Sequence, residues 1–128
     1  MNKSLYRIAA VLAFIIGAMA IFAGGQVLLG KDPGYYVINW LPVYNFIGGV
    51  LSVFVIALLI WLRSPYAIPA AVAMLSLHAL VMLTILIGYG DVVAKDSIVA
   101  MTIRITVWLI ILGLLFYGSR QRTAESVY

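Results

Sequence analysis

Two residues that could do chemistry, His78 and Arg104, lie inside long apolar stretches of the sequence. An ionisable side chain in lipid is costly, so each is a candidate functional residue. The imidazole of His78 could relay protons, contact a quinone oxygen or bind a metal. It could equally be a neutral side chain that hydrogen-bonds to a neighbouring helix, because buried polar groups generally find partners. The sequence leaves both interpretations open.

Arg104 lies about two turns inside the last apolar stretch, roughly 10 Å from its end at about 1.5 Å per residue. Its side chain could extend outward to water or pair with Asp91. If it faces the other helices instead, it would form the centre of a polar cluster able to hold a small anion or an anionic headgroup. Trp108, one turn along, could stack on the guanidinium. The candidate ligand-binding residues of this cluster are His78, Arg104, Gln26, Asn45, Thr84, Tyr89 and Trp108.

Several residue types and motifs that particular functions require are absent from the sequence. There is no cysteine, which excludes disulfides and thiolate metal sites. No acidic residue lies inside an apolar stretch, whereas proton-coupled carriers usually need a titrating carboxylate there. No phosphate-binding glycine loop, metal-ligand cluster or Ser/His/Asp set is present. We therefore predict no catalytic residue and no metal site, and the sequence indicates no cofactor.

The elements that must position these side chains are membrane-spanning helices. Of 128 residues, 66% are hydrophobic and 9% charged, against roughly 45–50% and about 25% in soluble domains. Four stretches have about the 20 apolar residues that a membrane-spanning helix needs, and lipid-exposed backbone must be helical. The sequence therefore predicts an all-α integral membrane protein, an antiparallel four-helix transmembrane bundle in a single domain, residues 1–128. The predicted spans are 5–29, 43–62, 66–90 and 98–118.

Basic residues at the ends of the spans predict the orientation of the bundle. One side would carry five basic residues and the other two, and the richer side is normally cytoplasmic. Both termini are therefore predicted to be cytoplasmic, with a tail of 119–128 and an external loop of 30–42. Aromatic residues would mark the outer boundary: Tyr35, Tyr36, Trp40, Tyr44 and Tyr89. The net charge of +4 follows from this topology and does not indicate binding to nucleic acid.

Small residues at helical spacing predict close packing between helices. They form one stripe in each of three spans, and they serve either packing within the bundle or contact with another subunit. The first stripe is Ala13, Gly17, Ala20 and Gly24, the second is Asn45, Gly49 and Ser52, and the third is Thr102, Thr106 and Gly113. Arg104 lies roughly opposite the third stripe, so the two cannot both face the bundle interior.

The pattern of the chain resembles the DoxX-like group of small four-helix bacterial membrane proteins. The resemblance rests on Gly24-Gly25 and Gly30-Lys31 closing the first span, and on the aromatic loop that follows. It continues with Gly48-Gly49, and with a short turn containing Arg63 that leads into the alanine- and leucine-rich 67–83. It implies an accessory part of a membrane redox system. An acidic residue common in that group near the start of the second span is replaced here by Asn45.

The absence of catalytic groups, together with the small-residue stripes, favours a non-catalytic accessory or structural subunit of a membrane complex. One alternative is an oligomeric channel or carrier for a small molecule or anion that uses Arg104 and His78. Another is a quinone- or haem-associated redox protein with His78 at the cofactor. The expected partners are the lipid bilayer and a second copy or a larger complex, and the expected location is a prokaryotic inner membrane.

Overall fold

The computed structural model describes the backbone of residues 2–127 and the side chains of residues 3–120. This part of the chain forms four long helices: α1 (Asn2–Leu28), α2 (Leu41–Trp61), α3 (Ala67–Gly88) and α4 (Lys95–Val127). Each contains a segment long and apolar enough to cross a membrane. The predicted all-α architecture with four apolar spans is confirmed.

The helix boundaries differ from the predicted ones by a few residues. Helix α2 begins at Leu41 and α4 at Lys95, so both start before their apolar stretches. The largest difference is at the carboxyl end, where α4 continues through the segment predicted as a tail as far as Val127. Residues 119–127 contain neither proline nor glycine, so nothing in their composition stops a helix that is already formed.

The bundle has two ends that we name by the residues found there. The connections 29–40 and 89–94 meet at the loop end, and the connection 62–66 lies with the two chain termini at the termini end. At the loop end, Ile38 is 1% exposed and packs among apolar side chains, while Tyr36 stays exposed. Trp40 Nε1 donates to Tyr89 Oη at 3.1 Å. The loop therefore folds onto the end of the bundle through part of its length.

Helices α1 and α2 approach closely because both have glycines on the faces that contact each other. A Cβ at Gly49 would lie 2.5 Å from the carbonyl oxygen of Gly17, and a Cβ at Gly24 would lie 2.5 Å from that of Pro42. Ser52 Oγ donates to the carbonyl oxygen of Ala13 at 2.7 Å, in the same interface. The first two stripes thus lie where two backbones meet, which is the arrangement that small residues permit between membrane helices.

Helix α2 changes its winding in the middle of the span. Residues Leu41–Leu51 and Ala57–Trp61 are α-helical, whereas Ser52–Ile56 form a π-helix. The π segment begins at the serine that bonds across to α1. Such segments occur mostly as single turns inside α-helices and frequently at functional sites.

Buried apolar side chains form two separate clusters along the bundle axis. The larger one, at the termini end, draws on all four helices and includes Ile60, Ala71, Ile111 and Leu115. The smaller one, at the loop end, consists of Ile38, Leu41, Val81, Ile85 and Met101. The buried polar residues described below lie between the two clusters, in a layer that crosses the interior of the bundle.

Candidate functional site

Arg104 faces the interior of the bundle and is the charged centre of this polar layer. It lies nine residues into α4, about 13 Å from the start of the helix, and only 6% of it is exposed. Its Nη1 donates to Asn45 Oδ1 on α2 at 2.5 Å and contacts the sulfur of Met101 at 3.5 Å. Of the two orientations that the sequence left open, the structure has the inward one.

The third small-residue stripe consequently faces away from the bundle. Thr102 and Thr106 are exposed, and their hydroxyls donate back to carbonyl oxygens of their own helix, each at 2.8 Å. Gly113 is also exposed, and a Cβ there would meet nothing within 4 Å. Of the two roles that the sequence left open for this stripe, packing within the bundle is not seen in the single chain, because burying Arg104 turns the opposite face of α4 outward.

His78 on α3 pairs with Tyr44 on α2. The imidazole is 5% exposed, and its Nδ1 is hydrogen-bonded to the Tyr44 hydroxyl. The two rings meet edge to face, with centroids 5.7 Å apart. Trp108, 1% exposed, also lies beside the imidazole, with ring centroids 6.4 Å apart. His78 therefore lies next to one aromatic ring from α2 and one from α4.

The tautomer of His78 sets the direction of the Tyr44–His78 bond. A tyrosine hydroxyl has one hydrogen to donate, and a neutral imidazole has one donor nitrogen and one acceptor nitrogen. When Tyr44 donates to Nδ1, the hydrogen of the neutral ring is on Nε2. His78 then offers an N–H donor to the interior of the bundle in addition to those of Arg104.

These side chains surround a narrow cavity that has room for about one water molecule. Side chains or backbone from all four helices line it: Ile16, Gly17, Ala20, Tyr44, Asn45, Gly48, Gly49, Ser52, His78, Arg104 and Trp108. The glycines and Ala20 contribute little bulk, which leaves this space open beside the polar groups. A quinone ring is larger than the cavity in this closed form.

The charge of the layer is unbalanced. The acidic residues of the sequence are Asp32, Asp91, Asp96 and Glu125. Asp96 lies in the first turn of α4 and the other two aspartates lie in the connections between helices, and all three aspartates are exposed. The side chain that accepts from Arg104 is a neutral amide rather than a carboxylate. A buried cation without an opposite charge costs several kcal/mol, so a ligand that supplied a negative charge would be strongly favoured there.

The structure brings together four of the predicted ligand-binding residues, His78, Arg104, Asn45 and Trp108, and leaves the others outside the cavity. Thr84 is exposed and donates to the carbonyl oxygen of Leu80 in its own helix. The Tyr89 hydroxyl accepts from Trp40 at the loop end. Gln26 is half-buried near the end of α1, and it is not among the residues that line the cavity. The predicted stacking of Trp108 on Arg104 is replaced by the contact with His78.

Tyr44 is the functional candidate that the sequence did not single out. Its position near the start of α2 is typical of an aromatic residue at the membrane interface, and this was its predicted role. Its hydrogen-bond partner is 34 residues away on another helix. The only signal in the sequence was its position next to Asn45, and it becomes informative once both residues are known to face Arg104 and His78.

Comparisons of this chain with protein-family models, with curated proteins and with solved structures gave no match. The resemblance to the DoxX-like group therefore stays a hypothesis based on the residues quoted above.

Proposed function

We propose that this protein binds a small anion inside the membrane, at Arg104, and carries it across the bilayer. The observation that carries the proposal is the burial of a guanidinium group in an apolar bundle, where no acidic residue is buried among the side chains that the structure describes. Ionisable residues within the membrane are rare and commonly mark the path of a substrate or ion. A bound anion would supply the charge that Arg104 lacks.

The surrounding groups suit an anion better than a cation. A guanidinium has five N–H donors and no acceptor, and His78 adds a further donor when Tyr44 donates to its Nδ1. The Asn45 amide can turn its NH₂ group to an anion once its oxygen is released from Arg104. Charge-assisted hydrogen bonds of this kind are about twice as strong as neutral ones.

The proposal can be tested by measuring anion binding to the purified protein in phosphatidylcholine nanodiscs. Sodium chloride, nitrate, formate, acetate and phosphate would be compared at equal ionic strength, with the thermal unfolding temperature as the readout. A ligand that binds the folded state raises this temperature in proportion to the logarithm of its concentration above Kd. At least one anion should do so, and that anion should also equilibrate across proteoliposome membranes.

Exchange of sodium for potassium or choline is the control, and it should have no effect. If all the anions give the same unfolding temperature, or if exchanging the cation changes that temperature as much as exchanging the anion does, the proposed function is wrong.

We propose further that the protein resides in a prokaryotic inner membrane with both termini in the cytoplasm. Five basic residues lie near the predicted cytoplasmic ends of the spans and two near the others, and such an excess favours the cytoplasmic side. The loop end would then face outward. Alkaline phosphatase fused after Tyr128 should be inactive in intact cells, and an active fusion would contradict this orientation.

A second candidate function is that of an accessory subunit that works through helix contacts, as the resemblance to the DoxX-like group also implies. The outward-facing stripe of Thr102, Thr106 and Gly113 favours it, because small residues allow another helix to approach closely. The partner could be a second copy of the chain or a larger complex.

This second candidate predicts cross-linking between copies at Thr106. The chain has no cysteine, so Thr106→Cys introduces a single thiol. A short membrane-permeant bis-maleimide, which adds one thiol at each end, should give dimers of Thr106→Cys in native membranes. Leu77→Cys is the matched control, since residues 77 and 106 both lie eleven residues from the loop end of their helices and are both exposed. Equal dimer yields from the two variants would argue against a specific contact at the stripe.

A further inference from the structure

A second pocket lies at the loop end, next to the cavity around Arg104. Its wall is formed by the end of α1, the loop and the first turns of α2 and α4: Ala23, Val27, Tyr35, Val37, Leu41, Pro42, Asn45 and Ser97. We call this pocket the vestibule. Asn45 lines the vestibule as well as the cavity, so a single side chain lies at the boundary between them.

Asn45 occupies this boundary because it is bonded to the cation behind it. Its Oδ1 accepts from Arg104 Nη1 at 2.5 Å, and the side chain is half-buried. When that bond breaks, rotation of the amide uncovers the guanidinium from the vestibule side. The same rotation presents the NH₂ group of the amide to an arriving acceptor.

The charge nearest to the vestibule is that of Arg104. Asn45, which accepts from its Nη1, forms part of the vestibule wall, so one side chain separates the guanidinium from this pocket. The helix ends favour neither sign of charge, because α2 and α4 begin at the loop end and α1 and α3 end there. A cation behind a low-dielectric wall raises the local concentration of anions.

We infer that Asn45 gates the Arg104 site and that the ligand is a small water-soluble anion that enters through the vestibule. This inference rests on the proposed function and specifies its ligand and its route. An anionic lipid headgroup would have to reach the same guanidinium with its acyl chains attached, whereas the closed cavity has room for about one water molecule. The smaller ligand requires only that Asn45 moves.

Single cysteines can report on this route, because the natural chain has none. Gly48 lines the cavity one turn deeper than Asn45, and a Cβ there would meet nothing within 4 Å, so Gly48→Cys is sterically tolerated. Tyr35→Cys reports on the vestibule itself, because Tyr35 lines this pocket and is exposed. Each variant would be placed in phosphatidylcholine nanodiscs and treated with anionic or cationic methanethiosulfonate reagents of similar size.

The cysteine at position 35 should react readily, whereas the one at position 48 should react slowly while Asn45 is present. Adding Asn45→Ala should raise the rate at position 48 severalfold and leave the rate at position 35 unchanged. The anionic reagent should then be faster than the cationic one, on the order of tenfold. Asn39→Ala, which removes an exposed amide in the loop, is the matched control and should change neither rate.

An unchanged rate at position 48 with Asn45→Ala, or an unreactive cysteine at position 35, would overturn the inference. If Gly48→Cys does not fold, Ala20→Cys reports on the same cavity. These rates are measured without added anion, so they test the gate independently of the proposed function. If the rates behave as expected but no anion stabilises the parent protein, the gate is confirmed and the proposed function is wrong. Slowing of the reaction at position 48 by added phosphatidylglycerol, but not by sodium nitrate, would overturn the water-soluble ligand in favour of a lipid headgroup.

Discussion

Replacing Arg104 with glutamine is expected to weaken anion binding roughly 10- to 100-fold while leaving the folded protein as stable as before or more stable. Hydrogen bonds to charged groups contribute about 1.5–3 kcal/mol, and about 1.4 kcal/mol corresponds to a factor of ten in affinity. The same guanidinium lowers the stability of the unliganded bundle, because its charge is buried against a neutral amide. Glutamine removes the charge and keeps a group that can bond to Asn45.

The measurements are the Kd of the best anion in nanodiscs and the free energy of unfolding in mixed detergent micelles. Arg120→Gln is the control, since it removes a positive charge from the same helix at an exposed position near the termini end. Arg104→Lys should retain part of the affinity, because it keeps the charge but loses the planar set of donors. If Arg104→Gln destabilised the fold by several kcal/mol and left the affinity intact, Arg104 would have a structural role instead.

Replacing Gly49 with alanine is expected to lower the free energy of unfolding by about 1–3 kcal/mol, the usual cost of overpacking a well-packed interior. The added Cβ would lie 2.5 Å from the carbonyl oxygen of Gly17 and 2.8 Å from the amide nitrogen of Ile21. These are backbone atoms, so α1 and α2 must move apart to admit it. Since α2 also carries Tyr44 and Asn45, the variant should bind the anion more weakly.

The neighbouring Gly48 provides a control with the same substitution. A Cβ there would meet nothing within 4 Å, so Gly48→Ala should leave the stability nearly unchanged. Both variants are measured by equilibrium unfolding in mixed micelles. Similar losses at the two positions would mean that α1 and α2 do not approach through Gly49 in the membrane.

The four spans were predictable because the constraint behind them is simple. A chain in lipid must satisfy its backbone polar groups within each spanning segment, so long apolar stretches become helices. Their ends were less predictable. No helix breaker follows Gly118, and the hydropathy pattern that ended the predicted span there does not itself end a helix.

The direction in which each helix faces was much harder to predict. In a water-soluble bundle the apolar stripe of a helix marks its buried face, but lipid is as apolar as the interior of these helices. The exposed Leu80 and Ile87 of α3 are as apolar as its buried Val81 and Ile85. The sequence therefore left Arg104 inward or outward with equal support, and it left the third stripe either inside the bundle or in contact with another subunit.

The candidate site was predictable in some of its members but not in its contacts. His78, Arg104 and Asn45 stood out as polar residues in apolar stretches. The pairing of His78 with Tyr44 joins residues 34 positions apart, and that of Arg104 with Asn45 joins residues 59 apart. Such pairs depend on how far the helices are rotated and shifted against one another, and the spacing along one helix carries no information about that.

The division of the buried apolar side chains into two clusters has a mechanical consequence. Local opening costs less free energy where fewer apolar groups are buried, and the loop-end cluster is the smaller of the two. The termini end can therefore hold the four helices in register while their other halves separate. A partial separation of this kind would hydrate the guanidinium without unfolding the protein, and it would confine the conformational change to the half of the molecule that carries the entrance.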